Sequence, residues 1–199
     1  MSAYRGFKPF DEAGNRTYLT TREREAFLEA AQNADPSVMT FCMILAYTGA
    51  RPSEVSALTP SCVDLALQCI VIKCLKKRRK VVFRAVPVPY EVLMTLVRVH
   101  GITETEKRSD KRLWAWSRTT AWSRVAQVMQ NAGLSGIGAT SRGLRHTFAV
   151  SAVQCGVALN MVQKWMGHAD IETTALYANA TGAEELEIAK GMWRSFPLS

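Results

Sequence analysis

The sequence has no long apolar run, although 48% of its 199 residues are hydrophobic and only 21% are charged. No apolar segment approaches the ~18 to 20 residues of a membrane-spanning helix. The first residues, Met1 to Arg5, are not followed by the apolar core of a signal peptide. These absences argue against a membrane partner, and we expect one globular domain in the cytoplasm, large enough to bury its own core.

Acidic residues are also scarce, with 17 Asp and Glu against 25 Lys and Arg, which gives a formal net charge of +8. Such an excess favours a polyanionic partner, nucleic acid first and an acidic membrane surface second. The five cysteines include no C-x-x-C pair. This pattern argues against a disulfide scaffold or a zinc site, and it predicts buried free thiols.

Periodicity and capping signals predict a mostly helical chain that carries one small sheet. Residues 1–18 are polar and form a predicted N-terminal arm. Helix signals begin at Thr20, where Glu23 completes a capping box, and again at Pro36 and Pro52. β-branched segments at 69–75 and 81–86 flank a basic turn and predict a hairpin. Further helices are predicted at 90–100, 118–132, 142–155, 158–166, 170–178 and 183–194.

The predicted hairpin is strongly basic. Seven basic residues and no acidic one occur between positions 73 and 84: Lys73, Lys76, Lys77, Arg78, Arg79, Lys80 and Arg84. A β-turn of this kind can enter a groove or follow a phosphate backbone, which predicts contact with nucleic acid. A solvated hairpin tip is the alternative interpretation.

Two further groups of residues could carry chemistry. Arg142 and Arg145 project from one face at the start of a predicted helix, where backbone N–H groups also favour an anion. His168 precedes Tyr177 by nine residues, a spacing that lets both reach one site. A tyrosine becomes a useful nucleophile only where cations stabilise its oxyanion. Surface arginines, a structural histidine and a core tyrosine are the alternatives.

Three segments together resemble the catalytic domain of the tyrosine recombinases, the phage-integrase family of site-specific DNA recombinases. The first is TGARPSE at 48–54, the second is SRGLRHTF at 141–148, and the third joins GHAD at 167–170 to TTALY at 173–177. Each motif is weak alone, but their order, the basic hairpin between the first two and the spacing of the third are specific. The resemblance covers about residues 17 to 195 and implies an α+β, mostly α domain: a helical bundle with a small antiparallel sheet.

The resemblance implies that Tyr177 attacks the scissile phosphate and forms a 3′-phosphotyrosine. It implies that Arg51 and Arg145 bind the phosphate, with Glu54 as a supporting residue and His168 beside the phosphate or the tyrosine proton. Lys76 is the implied general acid for the departing 5′-oxygen, with Lys77 as the adjacent alternative. Arg142 stands where the family usually has His or Lys. As a catalytic residue it can still donate hydrogen bonds to the phosphate, but an arginine cannot readily accept a proton. No metal or other cofactor is expected, because cations already perform the electrostatic role.

Family members normally carry a core-binding domain ahead of the catalytic one, and residues 1–18 are too few to form it. We therefore expect an arm at 1–18 and a catalytic domain at 19–199, in a minimal recombinase, a fragment, or a protein that borrows its core-binding function. The segment 183–195 is expected to dock on a neighbouring copy in a DNA-bound tetramer at the nucleoid, or else to pack on its own domain. A catalytically weak or inactive DNA-binding module and a type IB topoisomerase-like enzyme are the rival functions.

Overall fold

Eight α-helices and one three-stranded antiparallel sheet form the described part of the chain in the computed structural model. The described residues are 7–74, 82–103, 105, 109–168 and 171–179. The helices are α1 (Thr21–Gln32), α2 (Pro36–Thr48), α3 (Pro52–Val55), α4 (Tyr90–His100), α5 (Arg118–Asn131), α6 (Ser141–Gln154), α7 (Leu159–Met166) and α8 (Ile171–Ala175). The strands are β1 (Val63–Asp64), β2 (Cys69–Lys73) and β3 (Phe83–Pro87). These elements confirm the predicted mostly helical α+β class.

Local capping chemistry explains why the helices begin and end close to the predicted residues. Thr20 and Glu23 form the expected capping box of α1. The Asp35 side chain accepts from the Ser37 N–H at the start of α2. Gly49 ends α2 with a φ of 60°, a left-handed conformation that glycine adopts at low cost. The predicted helix at 170–178 is instead split into α8 and a 3₁₀ turn, Leu176–Asn179. The predicted helix at 183–194 lies outside the described residues.

The predicted hairpin is present, because β2 pairs antiparallel with β3. Ile70 lies opposite Val86, and Ile72 lies opposite Arg84. The pairing continues past the strands, where the Cys74 N–H donates to the Val82 carbonyl at 2.8 Å. The two-residue strand β1 pairs with β2 as a third strand, which the sequence did not predict. The basic turn at 75–81 lies outside the described residues, so the contacts predicted for Lys76, Lys77, Arg78, Arg79 and Lys80 stay predictions.

The core of the domain is divided into two hydrophobic clusters. The larger surrounds α2, whose Phe41 and Ile44 are fully buried, and it includes Ile70 and Ile72 of the sheet. The smaller joins residues from α6 and α7 to Phe7, Tyr18 and Tyr177. The five cysteines are free thiols, and Cys42, Cys69 and Cys74 are buried as predicted. The burial prediction is wrong for Cys155, which is exposed after the end of α6, and for Cys62, which is half-buried.

The described part of the predicted N-terminal arm packs against the domain. Its turn is held by the Asp11 carboxylate, which accepts from the N–H groups of Ala13 and Asn15. Phe7 before this turn and Tyr18 after it are both buried in the smaller cluster. The polar composition of the segment concealed these two aromatic anchors.

No helix within the described ranges combines the length and apolarity needed to cross a bilayer.

Gly143 provides a test of the packing that positions α6. A Cβ at this position would lie 1.8 Å from the carbonyl oxygen of Gly138, a backbone atom with little freedom to move. Gly143→Ala should therefore lower the melting temperature and cost about 1–3 kcal/mol of unfolding free energy. Helix propensity alone predicts a gain of about 1 kcal/mol instead. Thermal unfolding of this variant beside Ser151→Ala, a propensity control in the same helix, decides the sign, and a stabilised Gly143→Ala would contradict the close contact.

Candidate active site

The structure brings five of the sequence-predicted site residues together from four parts of the chain. Arg51 lies at the junction of α2 and α3, and Arg145 lies on α6. His168 follows α7, and Tyr177 lies in the 3₁₀ turn after α8. Glu54 lies on α3 and hydrogen-bonds Arg51. The charges of Arg51 and Arg145 act on both His168 and Tyr177, which places these groups in one electrostatic site.

Glu54 organises the arginines around it. Its carboxylate accepts from the Arg51 backbone N–H and from Arg51 Nη1, each at 2.9 Å. It also accepts from Arg84 Nη2 at 2.7 Å. Burial alone would raise the pKa of Glu54, but the hydrogen bonds and charges of the two arginines outweigh it, and the pKa lies below its ordinary value. Glu54 is therefore an ionised carboxylate that orients Arg51, and its supporting role in catalysis stays a prediction.

The structure corrects the DNA-contact prediction for Arg84, which is only 4% exposed. Its Nε donates to the Trp165 carbonyl at 2.7 Å, and its Nη1 donates to Cys74 Sγ at 3.2 Å. Its Nη2 donates to Glu54, so all three guanidinium nitrogens have partners within the protein. This guanidinium is therefore not available to an external phosphate. The alternation of side chains along β3 could have predicted this burial, because Arg84 lies on the same face of the strand as the buried Val86.

Arg145 joins the ends of two helices. Its Nη1 donates to the carbonyl of Gly49, the residue that ends α2, at 2.5 Å. Its Nη2 donates to the carbonyl of Met166, the last residue of α7, at 2.6 Å. Burial, with a smaller contribution from the charge of Arg51, lowers the pKa of Arg145 to about 10. Arg145 thus remains a cation at neutral pH and is fixed within the protein.

His168 and Tyr177 are stacked. Their ring centroids are 6.0 Å apart with an interplanar angle of 10°. His168 Nδ1 lies 3.0 Å from Thr174 Oγ1, which occupies that ring nitrogen. Burial and the charges of Arg145 and Arg51 lower the pKa of His168 to about 3, so the imidazole is neutral. Burial raises the pKa of Tyr177 to about 12 even though the arginines oppose the shift, so its phenol is protonated.

His146 contacts the Tyr177 hydroxyl, although the sequence motifs did not identify it as a candidate site residue. Its Nδ1 lies 3.0 Å from Tyr177 Oη. Burial and the charges of Arg142 and Arg145 lower the pKa of His146 to about 4. Its position four residues after Arg142 places both on one helical face, which was the available signal. Arg142 itself is exposed at the start of α6.

Phe7 covers this pair from the N-terminal segment. Its ring centroid lies 4.4 Å from that of Tyr177 and 4.6 Å from that of His146. Tyr177 is consequently only 2% exposed. The candidate nucleophile is thus shielded from solvent by a residue that precedes the predicted domain.

Two observations complete the electrostatic picture. Lys73 is exposed at the end of β2, and its contact with a phosphate backbone stays a prediction. Across the described ranges, no cluster of three or more His, Cys, Asp or Glu side chains could hold a metal ion. Arg51, Arg142 and Arg145 each contribute positive charge at Tyr177.

Comparisons with known proteins agree with the geometry. A model of the phage integrase family matches residues 17–184. Tyrosine recombinase XerD of Halalkalibacterium halodurans is 32% identical over 175 residues, which cover 82% of this chain and 57% of that protein. Tyrosine recombinase XerD of Oceanobacillus iheyensis is 30% identical over 193 residues, 89% of this chain and 61% of that protein. The chain therefore spans somewhat more than half the length of these two relatives.

Solved structures show the same fold. The crystal structure of XerA recombinase matches with a TM-score of 0.72 and 26% identity over 92% of this chain and 66% of that one. The catalytic domain of bacteriophage HP1 integrase matches over 92% of this chain and 99% of that domain, with a TM-score of 0.63 and 23% identity. XerH recombinase, solved in a complex with its difH substrate, matches with a TM-score of 0.70 and 23% identity over 92% of this chain and 59% of that one.

Glu54→Gln tests the buried ion pair with Arg84. We expect a loss of about 3–5 kcal/mol of unfolding free energy at neutral pH, because a buried guanidinium loses its counter-charge. The pKa of Glu54 is lowered in the folded state, so this stabilisation is complete above the ordinary value of 4.5 and is lost as pH falls through the lower folded value. The difference between wild type and variant should shrink in acid.

The measurement is urea unfolding at several pH values, with Glu91→Gln at an exposed position of α4 as the matched control. The control should change the unfolding free energy by no more than about 0.5 kcal/mol. A loss in Glu54→Gln that is the same at neutral and acid pH would show that the carboxylate charge is not what stabilises this region.

Proposed function

The chain belongs to the phage integrase family, and we propose that it is the catalytic part of a site-specific DNA recombinase. In this proposal, it cuts and rejoins DNA strands through a covalent 3′-phosphotyrosine at Tyr177. The observation that carries the proposal is the tyrosine hydroxyl held on His146 within reach of the charges of Arg51, Arg142 and Arg145. Because the covalent phosphotyrosine link conserves the energy of the broken phosphodiester bond, such an enzyme can rejoin the strands without a nucleotide.

The arginines fit the charge that the reaction develops. Negative charge grows on the non-bridging phosphate oxygens in the transition state, and preorganised guanidinium groups stabilise it. Arg51 is suited to direct contact, because its side chain is 26% exposed and Glu54 holds its orientation. Exposed Arg142 lies in the first turn of α6, where backbone N–H groups add to its charge. Arg145 contributes a fixed charge from behind.

The departing 5′-oxygen needs a proton, and Lys76 is the proposed donor, with Lys77 as the alternative. Both lie outside the described residues, but the described end of β2 supports the assignment. Cys74 Sγ lies 3.2 Å from the position that a Cβ would take on Gly167, the residue before His168. This proximity of Cys74 to the His168 segment supports Lys76, two residues later in the sequence, as the proposed donor.

Double-stranded DNA is the proposed substrate and partner. Lys73 and the basic turn at 76–80 would lie along the phosphate backbone, as their charge suggests. We further propose that a core-binding function outside this domain completes the grip on DNA. Segment 183–195 would dock on a neighbouring copy in a tetramer on DNA. The arm at 1–18 and the catalytic domain at 19–199 form the proposed division of the chain.

One observation favours the catalytically silent DNA-binding module as a second candidate function. Tyr177 is 2% exposed beneath Phe7, so a phosphate cannot reach its hydroxyl without movement of the N-terminal segment. A module that keeps this arrangement on DNA would bind without cutting. Formation of a covalent adduct separates the two functions.

Tyr177→Phe should abolish covalent attachment and leave DNA affinity nearly unchanged, because one hydroxyl is lost from an interface dominated by phosphate charge. The assay is a suicide DNA substrate followed by denaturing electrophoresis, with affinity measured in parallel. Tyr90→Phe, at an exposed position of α4, is the matched control and should form the adduct normally. Undiminished adduct in Tyr177→Phe would assign the nucleophile to another residue.

Lys76→Ala should slow cleavage by about a hundredfold or more, the usual scale of general acid catalysis. A substrate with sulfur at the bridging 5′ position should restore much of the rate, because a thiolate leaves without a proton. Single-turnover rates on both substrates, with Lys77→Ala as the paired variant, provide the measurement. Sulfur rescue of Lys77→Ala and not of Lys76→Ala would transfer the role to Lys77.

A further inference from the structure

We propose that His146 is the general base that takes the phenolic proton of Tyr177 during DNA cleavage. This inference rests on the proposed function and adds a catalytic residue to it. The contact that carries it is the 3.0 Å distance between His146 Nδ1 and Tyr177 Oη. Such a distance lies within the range that proton transfer to a general base requires.

The other residues near the nucleophile are less suited to the role. His168 Nδ1 is occupied by Thr174 Oγ1, and the His168 ring lies parallel to the tyrosine ring. Arg142 is permanently charged and cannot accept a proton. His146, one helical turn after Arg142 on the same face of α6, is the residue that meets the hydroxyl.

The groups around His146 keep it neutral before the reaction. Arg142 and Arg145 act on it from its own helix, while Tyr177 and His168 contact or face it from the C-terminal side. Phe7 adds an uncharged ring from the N-terminal segment. Burial and the two arginines oppose the imidazolium, so His146 is neutral. In our proposal its proton lies on Nε2, and the Nδ1 lone pair accepts the tyrosine hydrogen bond.

A bound phosphate would change this balance. Its negative charge offsets Arg142 and Arg145, which removes the repulsion that an imidazolium at position 146 would otherwise meet. His146 then becomes a stronger base at the moment when the scissile phosphate is in place. Without DNA, burial and the two arginines keep His146 a weak base, and burial keeps the Tyr177 phenol protonated even though the arginines lower its pKa.

The proton and bond changes balance without an added reactant. The Tyr177 proton moves to His146 Nδ1 as the Oη–P bond forms. The bond from phosphorus to the 5′-oxygen breaks, and that oxygen takes a proton from Lys76. In rejoining, the 5′-hydroxyl attacks phosphorus, its proton returns to Lys76, and His146 returns its proton to the departing tyrosine oxygen.

The first experiment measures single-turnover cleavage of a suicide substrate by wild type, His146→Gln and His146→Asn. Both variants retain a polar side chain, and thermal unfolding checks that they fold. We expect rates lower by about a hundredfold or more. His100→Gln is the matched control, because His100 lies at the end of α4, where it contacts Thr40 and Trp114. This variant should cleave the substrate at the wild-type rate.

The pH profile separates a base from a structural residue. Wild type should change little between about pH 7.5 and pH 9, because His146 is neutral above its ordinary pKa of 6.5 even when a bound phosphate offsets the arginines. In the variants Tyr177 must ionise unaided, so the rate should rise about tenfold per pH unit. A purely structural role would lower the rate by one factor at every pH, and such parallel profiles would overturn the inference.

A second measurement does not depend on activity. Nitrogen-15 NMR of the three histidines, assigned with His146→Gln, reports the tautomer of His146 in the free protein. A proton on Nε2 supports the inference, and a proton on Nδ1 overturns it, because that nitrogen would then donate to the tyrosine oxygen. Adduct formation by His146→Gln at the wild-type rate overturns only this inference, whereas a wild type that forms no adduct overturns the proposed function with it.

Discussion

The buried carboxylate of Glu54 is the interaction on which the rest of the site depends. It joins Arg51 at the start of α3 to Arg84 on β3, and Arg84 in turn reaches the carbonyl of Trp165 on α7. One negative charge thereby holds together a helix junction, the sheet and the helix that precedes His168. Because Glu54 offsets only one of the charges of Arg51, Arg84 and Arg145, the region retains the positive potential that an incoming phosphate requires.

Local signals were sufficient for most of the fold, and for the general location of the site. Capping residues such as Thr20 and helix-ending glycines such as Gly49 act through their immediate neighbours. The helices predicted at 90–100, 118–132, 142–155 and 158–166 therefore have boundaries accurate to within one residue. Strand β1 has only two residues and is defined mainly by its pairing with β2, so the sequence alone does not predict it. The split between α8 and the following 3₁₀ turn likewise depends on contacts that no short sequence window contains.

Individual roles within the site were harder to infer, because they depend on distant parts of the chain. Arg84 was counted with the exposed charges of the hairpin, although its partner Glu54 lies 30 positions away. His146 acquires its meaning from Tyr177, 31 positions later. Phe7 lay in a segment whose polar composition predicted an arm, yet two of its aromatic contacts are with the proposed base and nucleophile. Motifs identified which residues matter, while packing determined what each of them touches.

The anchoring of Arg145 has a consequence for how the domain discriminates among anions. A guanidinium held by the carbonyls of Gly49 and Met166 has already lost its rotamer freedom, about 2 kcal/mol for an arginine side chain. Binding of a ligand therefore requires no further ordering of the Arg145 side chain. A rigid cation also cannot follow an anion of the wrong shape. The site should therefore select by geometry, favouring a tetrahedral phosphodiester held at one position over a planar carboxylate or a freely diffusing small ion of equal charge.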